Sequence, residues 1–430
     1  MIKILFIAPH SFPVHSSESI VNAKLAYSLA MKGHFVDVYS VENNGFSYPS
    51  ADTIFNKQRV PSLNINIIKN IPLFSTKFGL KNLVKVLFAH LFVLIKRGFF
   101  YPDIIISEAI INKIKKGIRE RGKFDYDIII SRGFYTELVG IYFAKKYNAK
   151  LISNWNDPYP LLKFPPPYGK GAEAKLPFFQ KKLLKKIQQY SMLHTFPSER
   201  LRDYMLTYYT STNINNTMII PHMAHSQLLP LNKSEKSYDK LRIIHAGDIS
   251  KPRDPGNFLQ ALSNLNKSND NFCKTIEVLF VGKYNAELKQ KIESLNLNNV
   301  VELLPATDYF KVIELICKSH VSIIIEAICN EGIYLPTKVV DAIQCAIPIF
   351  AISPNKGTLK DLIDTYKIGY FSHNESIFDI QEQIKNMIND FQNKNLPVID
   401  HRKLSYFFEI SILEQYDQIF SYLDTKSPIS

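Results

Sequence analysis

IKILFIA, residues 2–8, runs straight into Pro9, and HFVDVYS, residues 34–40, follows Gly33. The first is a continuous apolar run of strand length, and the second alternates apolar with polar as a strand does. Between them Ser16 or Ser17 with Glu18 offers a helix start, Val21, Leu25 and Leu29 recur at helical spacing, and Gly33 marks the stop. Strand, helix and strand within about forty residues make the unit from which a doubly wound parallel sheet is built.

The same style continues outward. Ile111, Ile114 and Ile118 mark a helix, YDIIIS (126–131) a strand, residues 138–147 a helix and residues 150–153 another strand. PYPLLKFPPPYGK, residues 158–170, is too rich in proline for a helix or inner strand and reads as a long functional loop. A basic helix is expected near 176–191, and strand-like LHTFPS (193–198) and NTMIIPH (216–222) close a first domain placed at 1–230. Polar LNKSEKSYDK (231–240) reads as a linker. A second alternation starts at LRIIHAG (241–247) and runs through EVLFVG (277–282), VVELLP, HVSIIIEA and IPIFAIS, which places a second β/α domain at 241–400. Residues 404–425 have helical spacing and so many aromatics that they must pack on something large.

With 430 residues, 46% hydrophobic and 21% charged, the chain is long enough for two cores and excludes disorder and small disulfide scaffolds. Its four cysteines, Cys273, Cys317, Cys329 and Cys345, lie far apart in apolar stretches without close pairing, so they read as reduced core residues of a cytosolic protein. The opening apolar run is too short for a signal-peptide core, which puts the start of the mature chain at Met1.

The net charge of +13 is concentrated. Residues 57–123 hold fourteen basic and three acidic residues, and within them LVKVLFAHLFVLIKRGFFYP (83–102) has no uncharged run long enough to span a bilayer. Basic residues interleaved with Leu, Phe and Val suit a surface lying on an anionic membrane face, here residues 77–123, or equally a buried helix whose lysines reach solvent. No recognition motif for nucleic acid accompanies the charge, and none is expected as a partner.

Ligands of open α/β sheets bind beyond the carboxyl ends of the strands, where helix N-termini favour anions. Two loops answer to that. GDISKPRDP, from Gly247 to Pro255, offers a glycine for close approach, Lys251 and Arg253 as cations, and Asp254 as a helix cap, a set that suits a diphosphate. EGIYLPTKVVDAIQCAIPI, from Glu331 to Ile349, places Pro336 in the first turn of a helix, with Lys338 and Asp341 three apart on one face. A cation there would hold phosphate while a carboxylate receives a vicinal diol; the plain alternative is a surface ion pair.

Residues 331–349 resemble the donor-binding signature of retaining glycosyltransferases of the GT-B fold, family 4, whose variants read P-x-K-x-x-E-(Y/A)-x-A-x-G-x-P-V. Pro336, Lys338, Asp341, Ala342 and Pro348 stand in register with it. Gly247–Pro255 resembles the family's G-x-x-x-x-x-R-(D/N)-P segment, with Arg253 on its phosphate-binding arginine. IKILFIAPHSFP with KGHFVDVYS is similar to its opening strands, and NWNDPY (154–159) to its R-D-P-W segment.

The resemblance implies two Rossmann-like domains facing a cleft, a C-terminal helix crossing back to the first, and transfer of a hexose-type sugar from a nucleotide-diphosphate donor. The acceptor would be a glycan or lipid-linked glycan, with retention and no metal or other cofactor, at the inner face of the cytoplasmic membrane. It assigns leaving-phosphate stabilisation to Arg253 and Lys338, and donor contacts to Gly247, Lys251, Glu331, Tyr334, Pro336, Thr337 and Asp341. Acceptor-side positions are Ser11, Asn156 and Asp157, with Glu137 or His10 beside the sugar. Departures are clear: Asp341 replaces a glutamate, Glu331 stands two residues early, and SFPVHSSES lacks the glycines of the first loop. A sugar-nucleotide epimerase of the same fold, a nucleotide-sugar-binding protein without turnover and a membrane-scaffolding protein stay open as other readings.

Overall fold

The computed structural model describes residues 1–14, 16–42, 60–69, 104–133, 136–229 and 239–426, together with 84, 87, 88, 91, 92, 94 and 95. Two compact units emerge. The first comprises Met1–Pro165, Gly169–Ile220 and Ile412–Ser430, and the second Pro166–Tyr168 and Pro221–Ser411.

In the first unit the apolar runs become β1 (Lys3–Ile7), β2 (Phe35–Val41), β3 (Leu63–Ile68), β4 (Ile128–Arg132), β5 (Lys150–Asn154), β6 (Leu193–Phe196) and β7 (Thr217–Ile219). They form one sheet in the order β3-β2-β1-β4-β5-β6-β7, parallel throughout. Helices α1 (Ser17–Met31), α2 (Ile104–Arg121), α3 (Thr136–Tyr147), α4 (Phe178–Tyr190) and α5 (Glu199–Leu206) complete it. α1 starts where expected because Ser16 and Ser19 cap each other: Ser16 Oγ accepts from the Ser19 amide and Ser19 Oγ accepts from the Ser16 amide. β3 was not anticipated. Its alternating LNINII lies at a sheet edge inside the stretch that charge dominated.

The second unit repeats the scheme with β8 (Leu241–Ala246), β9 (Ile276–Val281), β10 (Val301–Leu304), β11 (Val321–Ile325), β12 (Ile349–Ser353) and β13 (Gly369–His373). The order is β10-β9-β8-β11-β12-β13, again parallel. Around it lie α6 (Gly256–Ser268), α7 (Ala286–Ser294), α8 (Tyr309–Cys317), α9 (Thr337–Gln344), α10 (Thr358–Tyr366) and α11 (Ile377–Gln392). Two separate apolar clusters, one through Phe258, Phe280 and Ile384 and one through Val339, Ile343 and Leu359, pack this sheet. Both faces buried is what an all-parallel sheet requires, and it is why these strands read as unbroken apolar runs.

The chain enters the second unit at Pro221, earlier than the expected linker, of which 231–238 lie outside the described residues. The Ala224 amide donates to Phe407 O at 2.8 Å and the His225 amide to Gln344 Oε1 at 2.8 Å, tying this segment down. The last helix, α12 (Glu409–Asp424), joins the first unit from Ile412. Fully buried Tyr416 accepts from Asn154 Nδ2 at 3.1 Å, and Asp424 accepts from Lys150 at 2.8 Å. The aromatic tail therefore divides: Tyr406, Phe407 and Phe408 pack in the second unit, Tyr416 and Phe420 in the first.

Candidate functional site

In each sheet the first strand is flanked on one side by the second strand and on the other by a strand reached through a crossover, β4 beside β1 and β11 beside β8. That is the switch point at which such sheets bind ligands.

In the second unit β8 ends at Ala246, and Gly247 turns the chain with φ +120°, a conformation that favours glycine. A Cβ there would stand 2.8 Å from Lys338 Cε, so the glycine makes room for the lysine of α9. Pro336 caps α9 and Thr337 is its first residue, one position later than the sequence reading placed the turn. Lys338 thus sits in the first helical turn, beside amides that lack intrahelical partners. Its Nζ lies 3.4 Å from Nε2 of buried His245. Burial, with repulsion from Arg253 second, pushes the Lys338 ammonium down to about 8, against the pull of Asp248 and Asp341. Burial and then Lys338 hold His245 well below the ordinary histidine value, so it is a neutral imidazole.

Arg253 closes a short 3-10 turn, Lys251–Arg253, and its Nε donates to Tyr168 Oη at 3.0 Å, with the guanidinium 5.7 Å from the ring centroid. Tyr168 meets Tyr334 edge to face at 5.6 Å. Arg253 therefore shares one electrostatic neighbourhood with Lys338 and His245. Among the described residues neither cation forms an ion pair. Two half-buried cations that form no ion pair among the described residues, next to a helix N-terminus, make an anion site.

The other donor-side residues are placed as follows. Asp341, one turn into α9, accepts from Tyr309 Oη at 2.5 Å. Glu331 is paired with Lys356 at 2.8 Å, and Gly332 is pinned by its amide to Lys356 O and by its carbonyl to the Thr358 amide. Lys251 is exposed. Asp254 accepts from the Gly256 amide at 2.9 Å just ahead of α6, whose N-cap is Pro255.

In the first unit the strand ends carry a linked polar network, although Arg132 Nε and Asn22 Oδ1 are buried without a hydrogen-bond partner. Arg132, which ends β4 and is 4% exposed, donates to Asn156 Oδ1 at 2.8 Å. Asn156 Nδ2 in turn donates to both Glu18 oxygens at 2.9 and 3.0 Å, and Asn22 Nδ2 donates to His10 O. Burial pushes His10 down while Glu18 opposes the shift. Asp157 is half-buried beside them. Ser11 is fully buried and bonded to Ala8 O, so it holds the turn after β1 and presents no surface. Glu137 is likewise 0% exposed, accepting from Ser131 and Ser153 between α3 and the sheet, and burial pushes it up to about 8. The Glu137 carboxyl is thus enclosed within its own unit, held by two serine hydroxyls.

His245, Tyr168, Tyr309 and Arg132 were missed. His245 passed as part of an apolar strand, Tyr168 was lost among the prolines, and Arg132 directly follows the strand-like YDIIIS. Among the described residues no group of three His, Cys, Asp or Glu comes together as a metal site, and no helix is long and apolar enough to cross a membrane.

The family model for glycosyl transferases group 1 matches residues 231–397. No curated protein matches in sequence. In structure the chain is similar to sucrose-phosphate synthase from Thermosynechococcus elongatus, at TM-score 0.70 and 13% identity, over 99% of this chain and 100% of that one. It is similar to HepE of Anabaena, solved with UDP and glucose, at 0.66 and 15%, over 98% and 100%. It also resembles a putative UDP-N-acetylglucosamine 2-epimerase from Listeria monocytogenes, at 0.57 and 10%, over 100% and 98%. At such identities the likeness establishes the fold, GT-B.

Proposed function

We propose, for a glycosyltransferase that carries a group 1 glycosyl transferase domain across residues 231–397, that the donor is a nucleoside-diphosphate hexose and that its pyrophosphate is received by Arg253 and Lys338. The observation that carries this reading is the pair of cations that form no ion pair among the described residues, beside the first turn of α9. As the bond from the anomeric carbon to the leaving oxygen breaks, its electron pair goes to the β-phosphate. The growing charge would fall beside Arg253, Lys338 and the first amides of α9, so little reorganisation is needed. A hydroxyl of the acceptor attacks the anomeric carbon and gives up its proton to the departing phosphate, which leaves the sugar with retained configuration. Asp341, oriented by Tyr309, is read as the ribose partner. We read the acceptor as a glycan or lipid-linked glycan of the bacterial surface type.

We further read the chain as peripheral on the cytoplasmic side of an anionic membrane. The support is an apolar helical stripe, Val84, Leu87, Phe88, Leu91, Phe92 and Ile95, each more than 40% exposed. Apart from Leu94, the rest of residues 77–103 lies outside the described residues. Sedimentation with liposomes should require anionic lipid and weaken with salt; equal binding to neutral vesicles would remove this part.

The decisive measurement is donor turnover and binding across UDP-, GDP-, dTDP- and ADP-sugars, in EDTA. One nucleotide should be preferred without added metal, and Lys338→Ala or Arg253→Ala should each lower kcat/KM by about 10²-fold, the loss of one charge-assisted contact of roughly 3 kcal/mol. Variants as active as wild type would end the assignment. Binding of nucleotide sugar without transfer or hydrolysis would favour a binding protein, and release of an epimerised sugar would favour the epimerase reading.

A further inference from the structure

Beside Arg253, the second unit holds a cavity of about 350 Å³. Its lining includes apolar Phe258, Ile325 and Ile352 and polar Asn257, Glu326 and Asn374. Glu326 follows β11 and is 8% exposed; Asn374 follows β13 and is 4% exposed. Each contributes a buried acceptor without any hydrogen-bond partner, Glu326 Oε2 and Asn374 Oδ1. The rest of Asn374 is anchored, because Nδ2 donates to Ala327 O at 2.9 Å. Gly332 leaves space for the carboxyl, since a Cβ there would lie 2.6 Å from Glu326 Oε2. Unpartnered buried acceptors cost stability, and retaining two in the lining of one cavity calls for a ligand that brings donors. Burial pushes the Glu326 carboxyl up to about 7 against the pull of Arg253, which places it in reach of the phosphate cation's field.

We propose that this cavity is a carbohydrate subsite, in which hydroxyl or amide N–H groups of one pyranose donate to Glu326 Oε2 and Asn374 Oδ1 while its C–H face lies on the apolar part of the lining. The volume is at the low end for small-molecule sites, so it holds one ring rather than a chain. The proposal rests on the transferase reading above for its substrate class and adds the residues that choose the sugar. The ring belongs either to the donor or to the acceptor.

The test uses the full chain as wild type, Glu326→Leu and Glu326→Gln. Saturation-transfer NMR with free glucose, galactose, mannose and N-acetylglucosamine should give a signal for at least one sugar in wild type. That signal should fall at least fivefold in Glu326→Leu and by less in Glu326→Gln, while the thermal midpoint of Glu326→Leu holds or rises, an outcome that a merely structural carboxyl would not give. Weaker binding of the nucleotide sugar with unchanged binding of the nucleoside diphosphate assigns the ring to the donor. A loss confined to the free sugar assigns it to the acceptor. No signal with any sugar, or equal signals in wild type and variants, overturns the subsite even if nucleotides bind. Sugar binding without nucleotide binding keeps the subsite and overturns the pyrophosphate assignment instead.

Discussion

Each unit sets a cation and a buried carboxyl near the ends of its central strands, and the two sets differ in what answers the charge. In the first unit Arg132 has Asn156, and through it Glu18; Glu137 has the hydroxyls of Ser131 and Ser153. In the second, Lys338 has only a neutral imidazole at 3.4 Å, Arg253 only a tyrosine hydroxyl, and Glu326 keeps an oxygen with no partner. The same topology therefore serves two ends. In the first unit the charged groups are tied by side-chain hydrogen bonds to their own unit, even though Arg132 Nε is left over, whereas in the second the cations form no ion pair among the described residues and keep their energy for something that arrives later.

The largest contrast should appear in stability. Arg132→Met leaves Asn156 Oδ1 without its donor and Glu18 without its nearest buried cation, and should destabilise the chain by about 3 kcal/mol in urea unfolding. Lys338→Met orphans no anion and should be neutral or stabilising. Equal losses for the two would erase the distinction between closed and open ends. Next in size, Gly247→Ala must hold φ +120° and push against Lys338 Cε, which should cost about 2 kcal/mol and weaken nucleoside-diphosphate binding roughly tenfold. If binding survives while stability falls, Lys338 does not need that space for its ligand.

The smallest expected effect sharpens the comparison through pH. Lys338 is charged below about 8 in the free protein and loses its proton above it, so nucleoside-diphosphate affinity should be level up to pH 7 and then fall by up to about tenfold per pH unit. Lys338→Met should abolish that dependence. Glu137 acts with the other sign on folding. Its carboxyl is raised to about 8 in the folded chain from its ordinary value of 4.5, so stability is undiminished at low pH and declines as pH rises from about 4.5 towards 8. Glu137→Gln should flatten that slope in unfolding experiments and leave nucleotide affinity unchanged.

Much of this protein is readable from the chain alone. Strand and helix periods, the prolines at 336 and 348 and the glycine at 247 are local signals, set by backbone sterics within a few residues. They placed most of the strands, the two alternations and the loops that carry Arg253 and Lys338. Edge strand β3 and the division of the aromatic tail escaped, because pairing and burial depend on distant neighbours. Which side chains meet was decided by tertiary structure. The second unit brings Tyr168 to Arg253, Tyr309 to Asp341 and Glu326 to Asn374 across gaps of 85, 32 and 48 residues. Whether a buried charge is answered or left open is a property of that meeting, since the energy of a polar group lies in its partner and not in its place along the sequence.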